Sequence, residues 1–523
     1  MVQRFGGELM RKVIEPQMEI GEIAIPDIQI DLHSRDEIPK VLIGLQELYR
    51  DQYLRKKVFE VLKELIPDNV SPNRGRNGMN FWTILVLGVL RLVCNWDYDK
   101  LTEIANNHMT LRLMLGHSLF GKPFRYALQT VKDNIRLFKP EILDKINQIA
   151  VCHGHEVIGN VDELSGSCDS FVVETDVHFP TDINLLLDAL RKIVFIIMTL
   201  CLENGICGWR KGMFNFKKVR QLFTQVRRMK HSSSKNPEKR EERKQLIIKA
   251  HKLYIDLAET IAAKANEAII LLQTADIDVT TQLKTDEICR FIAHAERQID
   301  QIRRRVIEGK TIPHHEKVFS IFEEHTKWIV KGKAGIPQEL GLNVCVVKDQ
   351  FGFILHHRVM EDETDVLIAV PIVEETKQRF KNFNGCSFDK GFHSPDNQKK
   401  LAEILENVVL PRKGKLSAIN REIESTEAFK SARRKHAAVE SSINALENHG
   451  LDRCPDHGLH GFKRYVGLAV LARNIQILGH LIQQKKLKNQ QRTRKNRLCL
   501  LRRRNKKLRK PLEKMHSCQI SLL

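Results

Sequence analysis

No stretch of this 523-residue chain stays apolar for the ~20 residues a membrane-crossing helix needs. The longest apolar runs, at 84–90 and 193–200, fall well short of that. The N-terminal residues also lack the pattern of a secretory signal. Both absences lead to the expectation of an intracellular, cytoplasmic protein with no membrane partner. Cysteine is present but unpatterned: eleven residues scattered singly from Cys94 to Cys518, with no CxxC pair. This fits reduced core thiols better than a disulfide framework. Cys454-Pro455-Asp456-His457 has the start of a zinc spacing, but no second half follows, so a loop is the better reading. Strand signals are missing from about 203 to 318, where long helical periodicities at 238–275 and 286–308 suggest a helical insertion.

Acidic residues are nearly absent from the end of the chain. Residues 485–523 hold fifteen Lys or Arg against one acid, Glu513, and so carry +14 of the formal +21. A block of like charge reads as an unstructured, solvated tail that grips a polyanion without regard to sequence. Hydrophobic content of 42% supports real cores over two to four domains.

The order of elements is informative. A prolyl arm occupies 1–40, with Pro16, Pro26 and Pro39. Residues 41–156 are helical, with basic connectors at 71–78 and 121–123. A helix-turn-helix-like arrangement there would place 126–136 in a DNA groove. A β-branched strand at 171–177 is followed by a helix start at Pro180-Thr181-Asp182. After the insertion come a strand at 326–330, a hairpin turning at Asp349-Gln350, and a helix at 364–380 kinked or restarted at Pro371. A strand at 386–389, a helix at 397–405, a strand at 408–411 and a helix at 429–446 follow. This is the order of an α/β, ribonuclease-H-like domain interrupted after its first strand: 157–195, an insertion at 196–318, then 319–484.

Three acids fall where such a fold brings side chains together. Asp176 lies at the end of the first strand, Asp389 ends a later one, and Glu440 lies on the last helix. Hard oxygen ligands of this kind suit two Mg²⁺ ions that keep positions open for phosphate and water. Asp169 and Asp182 are alternatives for the first acid. Asp176 is preferred because it ends the β-branched run, whereas Asp182 reads as part of a helix start. Arg433, His436, Glu440, Asn444 and Glu447 recur at helical steps and make a polar ridge. Lys390 and Gly391 follow the second aspartate, where a lysine offers a point charge and glycine lets backbone approach a phosphate.

The residues Thr175-Asp176-Val177-His178-Phe179-Pro180, His325-Thr326-Lys327-Trp328-Ile329, Lys331-Gly332-Lys333-Ala334-Gly335, Phe388-Asp389-Lys390-Gly391-Phe392-His393 and Ala438-Val439-Glu440-Ser441-Ser442-Ile443-Asn444 resemble the blocks of bacterial insertion-sequence transposases of the DDE class. They are most similar to the not-yet-classified group. The resemblance implies a ribonuclease-H-like catalytic domain, an N-terminal region that binds terminal inverted repeats, and two Mg²⁺ ions with Mn²⁺ as a substitute. It further implies action as a homodimer or higher oligomer on paired ends, in the bacterial cytoplasm at the nucleoid. Asp176, Asp389 and Glu440 would be the catalytic, metal-binding triad. Related groups often carry an Arg four residues before the glutamate and a Lys seven after it. Here His436 and Glu447 stand there, leaving Arg433, Arg434 and Lys435, with Lys390 and His436, for DNA phosphates. Two other readings remain: a nuclease that cuts without joining, and a DNA-binding descendant without catalysis.

Overall fold

Asp36, Asp51, Asn80 and Asp97 each accept a hydrogen bond from a backbone N–H two or three residues ahead, and each begins a helix. These helices are α1 (Glu37–Arg50), α2 (Gln52–Lys63), α3 (Phe81–Val93) and α4 (Tyr98–Asn107). The short α5 (Met109–Met114) and α6 (Leu128–Ile135) follow, then α7 (Pro140–Ile158), which has proline in its first turn and stops at Gly159 with φ +128°. In this computed structural model the described residues are 9–10, 21–66, 76–118, 124–159, 161–273, 278–330, 338–415 and 417–520, with side chains up to 501. The glycine-lysine block at 331–335, the connector at 121–123, residues 71–75 of the other connector and most of the first twenty residues lie outside them. The chain divides into two compact units, 1–174 with 342–523, and 175–341.

In the first unit, two-residue strands β1 (Leu9–Met10) and β2 (Arg76–Asn77) pair in parallel. The main sheet uses β3 (Leu164–Thr175), β5 (Gln338–Asp349), β6 (Ile354–Met360), β7 (Phe383–Phe388) and β8 (Asn407–Val409), in the order β6–β5–β3–β7–β8. The hairpin β5–β6 is antiparallel, and its turn is longer than the sequence suggests, running to Phe353 through Gly352 at φ +98°. β3, β7 and β8 are parallel. α12 (Asp365–Arg379) carries Pro371 inside it, and α13 (Pro395–Ile404) joins β7 to β8. Then come α14 (Ala418–Ser425), α15 (Glu427–His436), α16 (Ala438–Leu446), β9 (Arg453–Cys454) and α17 (Gly458–Ile520).

One buried apolar cluster runs from Ile28 through α1, α3 and α7 to the sheet and α17. The helical region expected as a separate domain at 41–156 therefore shares its core with the sheet. The tail read as unstructured instead continues α17 as helix to Ile520. Residues 485–510 contain neither glycine nor proline and are rich in Lys, Arg, Leu and Gln, so helix propensity outweighs like-charge repulsion. The part of α17 at 458–501 is also long and apolar enough to cross a membrane by length and composition, which no uninterrupted apolar run announces. The apolar window within it is mostly buried in the unit, as in a core helix, whereas residues 488–501 are exposed.

α17 crosses α1 at glycines. A methyl group on Gly479 would collide with the backbone carbonyl of Lys40, and one on Gly44 with that of Ile475. Backbone cannot yield as a side-chain end can, so Gly479→Ala is expected to destabilise the unit by roughly 2–3 kcal/mol. Chemical denaturation should show a lower midpoint at unchanged slope.

The second unit has its own core, from Leu185 to Ile321. It holds α8 (Asp182–Glu203), α9 (Gly212–Arg228), α10 (Pro237–Gln273) and α11 (Val279–Ile302). β4 (Lys327–Val330) pairs antiparallel with the start of β5. Thr181 caps α8 with its hydroxyl, so Asp182 is indeed a helix-start residue.

Candidate active site

Parallel pairing of β3 with β7 sets the site. Cys168 stands opposite Phe388, the last residue of β7, so Asp169 and Asp389 each directly follow this last paired position. Such strands are ~4.8 Å apart. Asp389 begins a short 3-10 turn, Lys390–Phe392, and is exposed to solvent. A third carboxylate, Asp365, opens α12; its Oδ1 accepts a 2.7 Å bond from the Ser170 hydroxyl. The turn after Asp389 packs tightly against Asp365, where a methyl on Gly391 would lie 2.9 Å from Oδ2.

Glu440 arrives from the other side, in the first turn of α16. The helix expected at 429–446 is broken at Ala437 into α15 and α16, and both pieces are tied to the sheet. His436 at the end of α15 lies with Nδ1 3.0 Å from the Ser387 hydroxyl, which donates to Ser167 Oγ at 2.9 Å. Lys348 of β5 donates to the Ala438 carbonyl at 2.8 Å, two residues before Glu440. Burial lowers the Lys348 pKa, as expected for an amine held by a carbonyl rather than by water.

The electrostatics show which acids share a neighbourhood. Burial first, then the charges of Asp389, Asp365 and Glu440, push the Asp169 carboxyl up to about 6, against the lowering effect of the Ser170 N–H. Burial also holds the His436 imidazole below its ordinary range, although Asp389 and Glu440 pull it upward. None of Asp169, Asp365, Asp389 and Glu440 has an ion-pair partner among the described residues.

Of the expected site residues, Asp389 and Glu440 are therefore brought together. The acid of β3 beside them is Asp169. Asp176 follows the last residue of β3, seven positions further on, which is about 23 Å of extended chain. Lys390, Arg433 and Arg434 are exposed near the acids in sequence, and Arg434 pairs with Glu427 at 3.5 Å. Two groups escaped sequence reading. Asp365 gives no local signal, since it looks like any acid in a first helical turn. Lys413, whose ammonium donates to the Gly391 carbonyl at 2.8 Å, lies in a loop distant in sequence. His356 is buried and His357 half-buried, and His356 Nε2 sits 2.7 Å from Glu375.

The donor set is all oxygen and uncompensated, which suits a hard divalent cation that retains several waters and uses one or two carboxylates. Among the described residues, no three His, Cys, Asp or Glu side chains already stand close enough to enclose an ion. The acids thus share a neighbourhood without forming a closed metal cage. Neither the curated proteins nor the solved structures compared with the chain give a match. Residues 300–475, about a third of the chain and including Asp365, Asp389 and Glu440, match the family model described as Transposase DDE domain, which supports a DDE-class transposase.

Proposed function

We propose that this chain cleaves DNA at the terminal inverted repeats of a bacterial insertion sequence of the not-yet-classified group and joins the freed 3′-hydroxyls to target DNA. The observation that carries the reading is the gathering of Asp169, Asp389 and Glu440 around one end of a sheet ordered β6–β5–β3–β7–β8. That order, with β3, β7 and β8 parallel, supports a ribonuclease-H-like catalytic unit. In this reading Asp169 replaces Asp176 as the first acid of the triad.

Two Mg²⁺ ions, or Mn²⁺ in their place, would be held by Asp169, Asp389 and Glu440 and would supply Lewis-acid activation of the attacking and leaving oxygens. The chain's own groups do the rest. Asp389 and Glu440 present open carboxylates to solvent, while half-buried Asp169 is held by its neighbour's N–H. Lys390, Arg433 and Arg434 offer charge for the scissile strand's phosphates. The exposed side of α6, with Gln129 and Thr130, together with Arg136 just after it, is the face for the inverted repeats. Assembly as a dimer or larger oligomer on paired ends belongs to the same reading.

The test is Mg²⁺-dependent cutting of DNA that carries the element's own flanking repeats, comparing wild type with Asp389→Asn and Glu440→Gln. Wild type alone should cut at the repeat ends and give joined products in a strand-transfer assay. Cutting without joining would leave a nuclease, and end binding without cutting a DNA-binding descendant. Equal activity in all three proteins would remove the acids from the mechanism.

A further inference from the structure

From Asn204 to Pro237 the chain holds nine Lys or Arg and no Asp or Glu. The structure concentrates this charge on α9. Lys217, Arg220, Gln221, Gln225 and Arg228 recur at helical steps, so they share one exposed face. With Arg243 of α10 they line an open cleft of about 710 Å³ that contains no carboxylate. Arg243 is fixed at the edge of the cleft because its Nε donates to the Lys230 carbonyl at 2.9 Å.

Elsewhere in the same unit several cations are paired. Arg303 pairs with Glu259, Arg304 with Glu316, Lys284 with Glu203 and Lys192 with Glu287. Lys217, Arg220 and Arg228 have no ion-pair partner among the described residues. A face that collects unpaired like charge repels itself unless a polyanion covers it. The span from Lys217 to Arg228 is eleven residues, about 16 Å of helix. That equals about five base steps of duplex at 3.4 Å each. The glutamines between the cations add neutral donors at the same height.

We propose that this face of α9 binds the phosphodiester backbone of duplex DNA, as a grip built on residues other than the acids and the basic end of α17. The inference rests on the DNA reading above. The contacts are to phosphate, so they hold the duplex without reading its sequence.

The experiment uses the full chain and a random-sequence 30-base-pair duplex, with fluorescence anisotropy from 50 to 300 mM NaCl. Replacing Lys217, Arg220 and Arg228 together by glutamine should make the slope of log K against log salt shallower by about 2–3, since each phosphate contact contributes ~0.9. Binding should weaken about tenfold or more near 150 mM salt. Arg220→Lys with Arg228→Lys should restore the wild-type slope. Glutamine at the ion-paired Lys284, Arg303 and Arg304 should change it little. All these positions are on the surface, and circular dichroism would confirm that each variant is folded. An unchanged slope in the α9 triple variant, or an equal loss in the ion-paired control, overturns this proposal alone. Failure of the wild type to bind any duplex overturns it together with the DNA reading.

Discussion

Asp169→Asn is expected to reduce divalent-metal-dependent DNA cleavage by about three orders of magnitude, while Asp176→Asn should stay within about threefold of wild type. A bound metal supplies several kcal/mol of transition-state stabilisation, and each 1.36 kcal/mol is a factor of ten. Asp169 is the β3 carboxylate that feels Asp389, Asp365 and Glu440. The same substitution has an opposite effect on stability, which separates a metal-site role from a merely structural one. In the unfolded chain this carboxyl titrates near 4, but in the fold it titrates at about 6. Above that window its charge costs the folded state; as the pH falls through it, the fold takes up a proton that the unfolded chain does not. Metal-free wild type should therefore gain stability between pH 7 and pH 5 from this group. Asp169→Asn should lack that gain and be more stable than wild type at pH 7.5, by on the order of 1 kcal/mol. Millimolar Mg²⁺ should raise the Tm of wild type and leave the variant unmoved. If Asp176→Asn loses activity instead, with Asp169→Asn active, the assignment is reversed.

The difference between these two aspartates shows how far the sequence could be read. In the proposed site, Asp389 and Glu440 are the acids that the sequence marks, each on an element with a clear period and a distinctive block. Asp176 was favoured because it ends the β-branched stretch Phe171-Val172-Val173, which looks like the whole strand. β3 in fact begins at Leu164 and includes Ser165, Gly166 and Ser167, small residues that read as loop. Their place in the sheet comes from pairing with β7, more than two hundred residues away, and no local pattern contains it. α9 was missed for a related reason: its charge obscures a narrow apolar stripe of Phe216, Val219 and Val226. The break at Ala437 was also invisible, because every residue around it is compatible with helix. It follows from two anchors far apart in sequence, Ser387 holding His436 and Lys348 holding the Ala438 carbonyl.

Asp456→Ala should be among the most destabilising single changes in the first unit, costing about 3–5 kcal/mol. This residue belongs to the short Cys454-Pro455-Asp456-His457 run that resembles half a zinc site, yet its carboxylate is buried and serves two guanidiniums. Arg464 Nη2 lies 2.7 Å from Oδ2 and Arg91 Nη2 3.3 Å from Oδ1, with all three side chains at most 9% exposed. One negative charge therefore holds two positive ones away from water. The surplus is eased by the faces of Tyr98 and Tyr465, whose ring centres are 4.0 and 5.3 Å from the Arg91 guanidinium. Arg464 adds a bond to the Arg136 carbonyl at 3.1 Å. Removing the aspartate leaves two uncompensated buried cations, and burying an unpaired charge costs far more than an exposed ion pair contributes. The network links α3 to the start of α17 across more than 360 residues, so its loss should lower the denaturation midpoint of the whole first unit. Asp456→Asn, which keeps the shape and part of the bonding, should fall between the two. A loss below about 1 kcal/mol in Asp456→Ala would mean that water reaches the two arginines, and the network would then count as a surface feature.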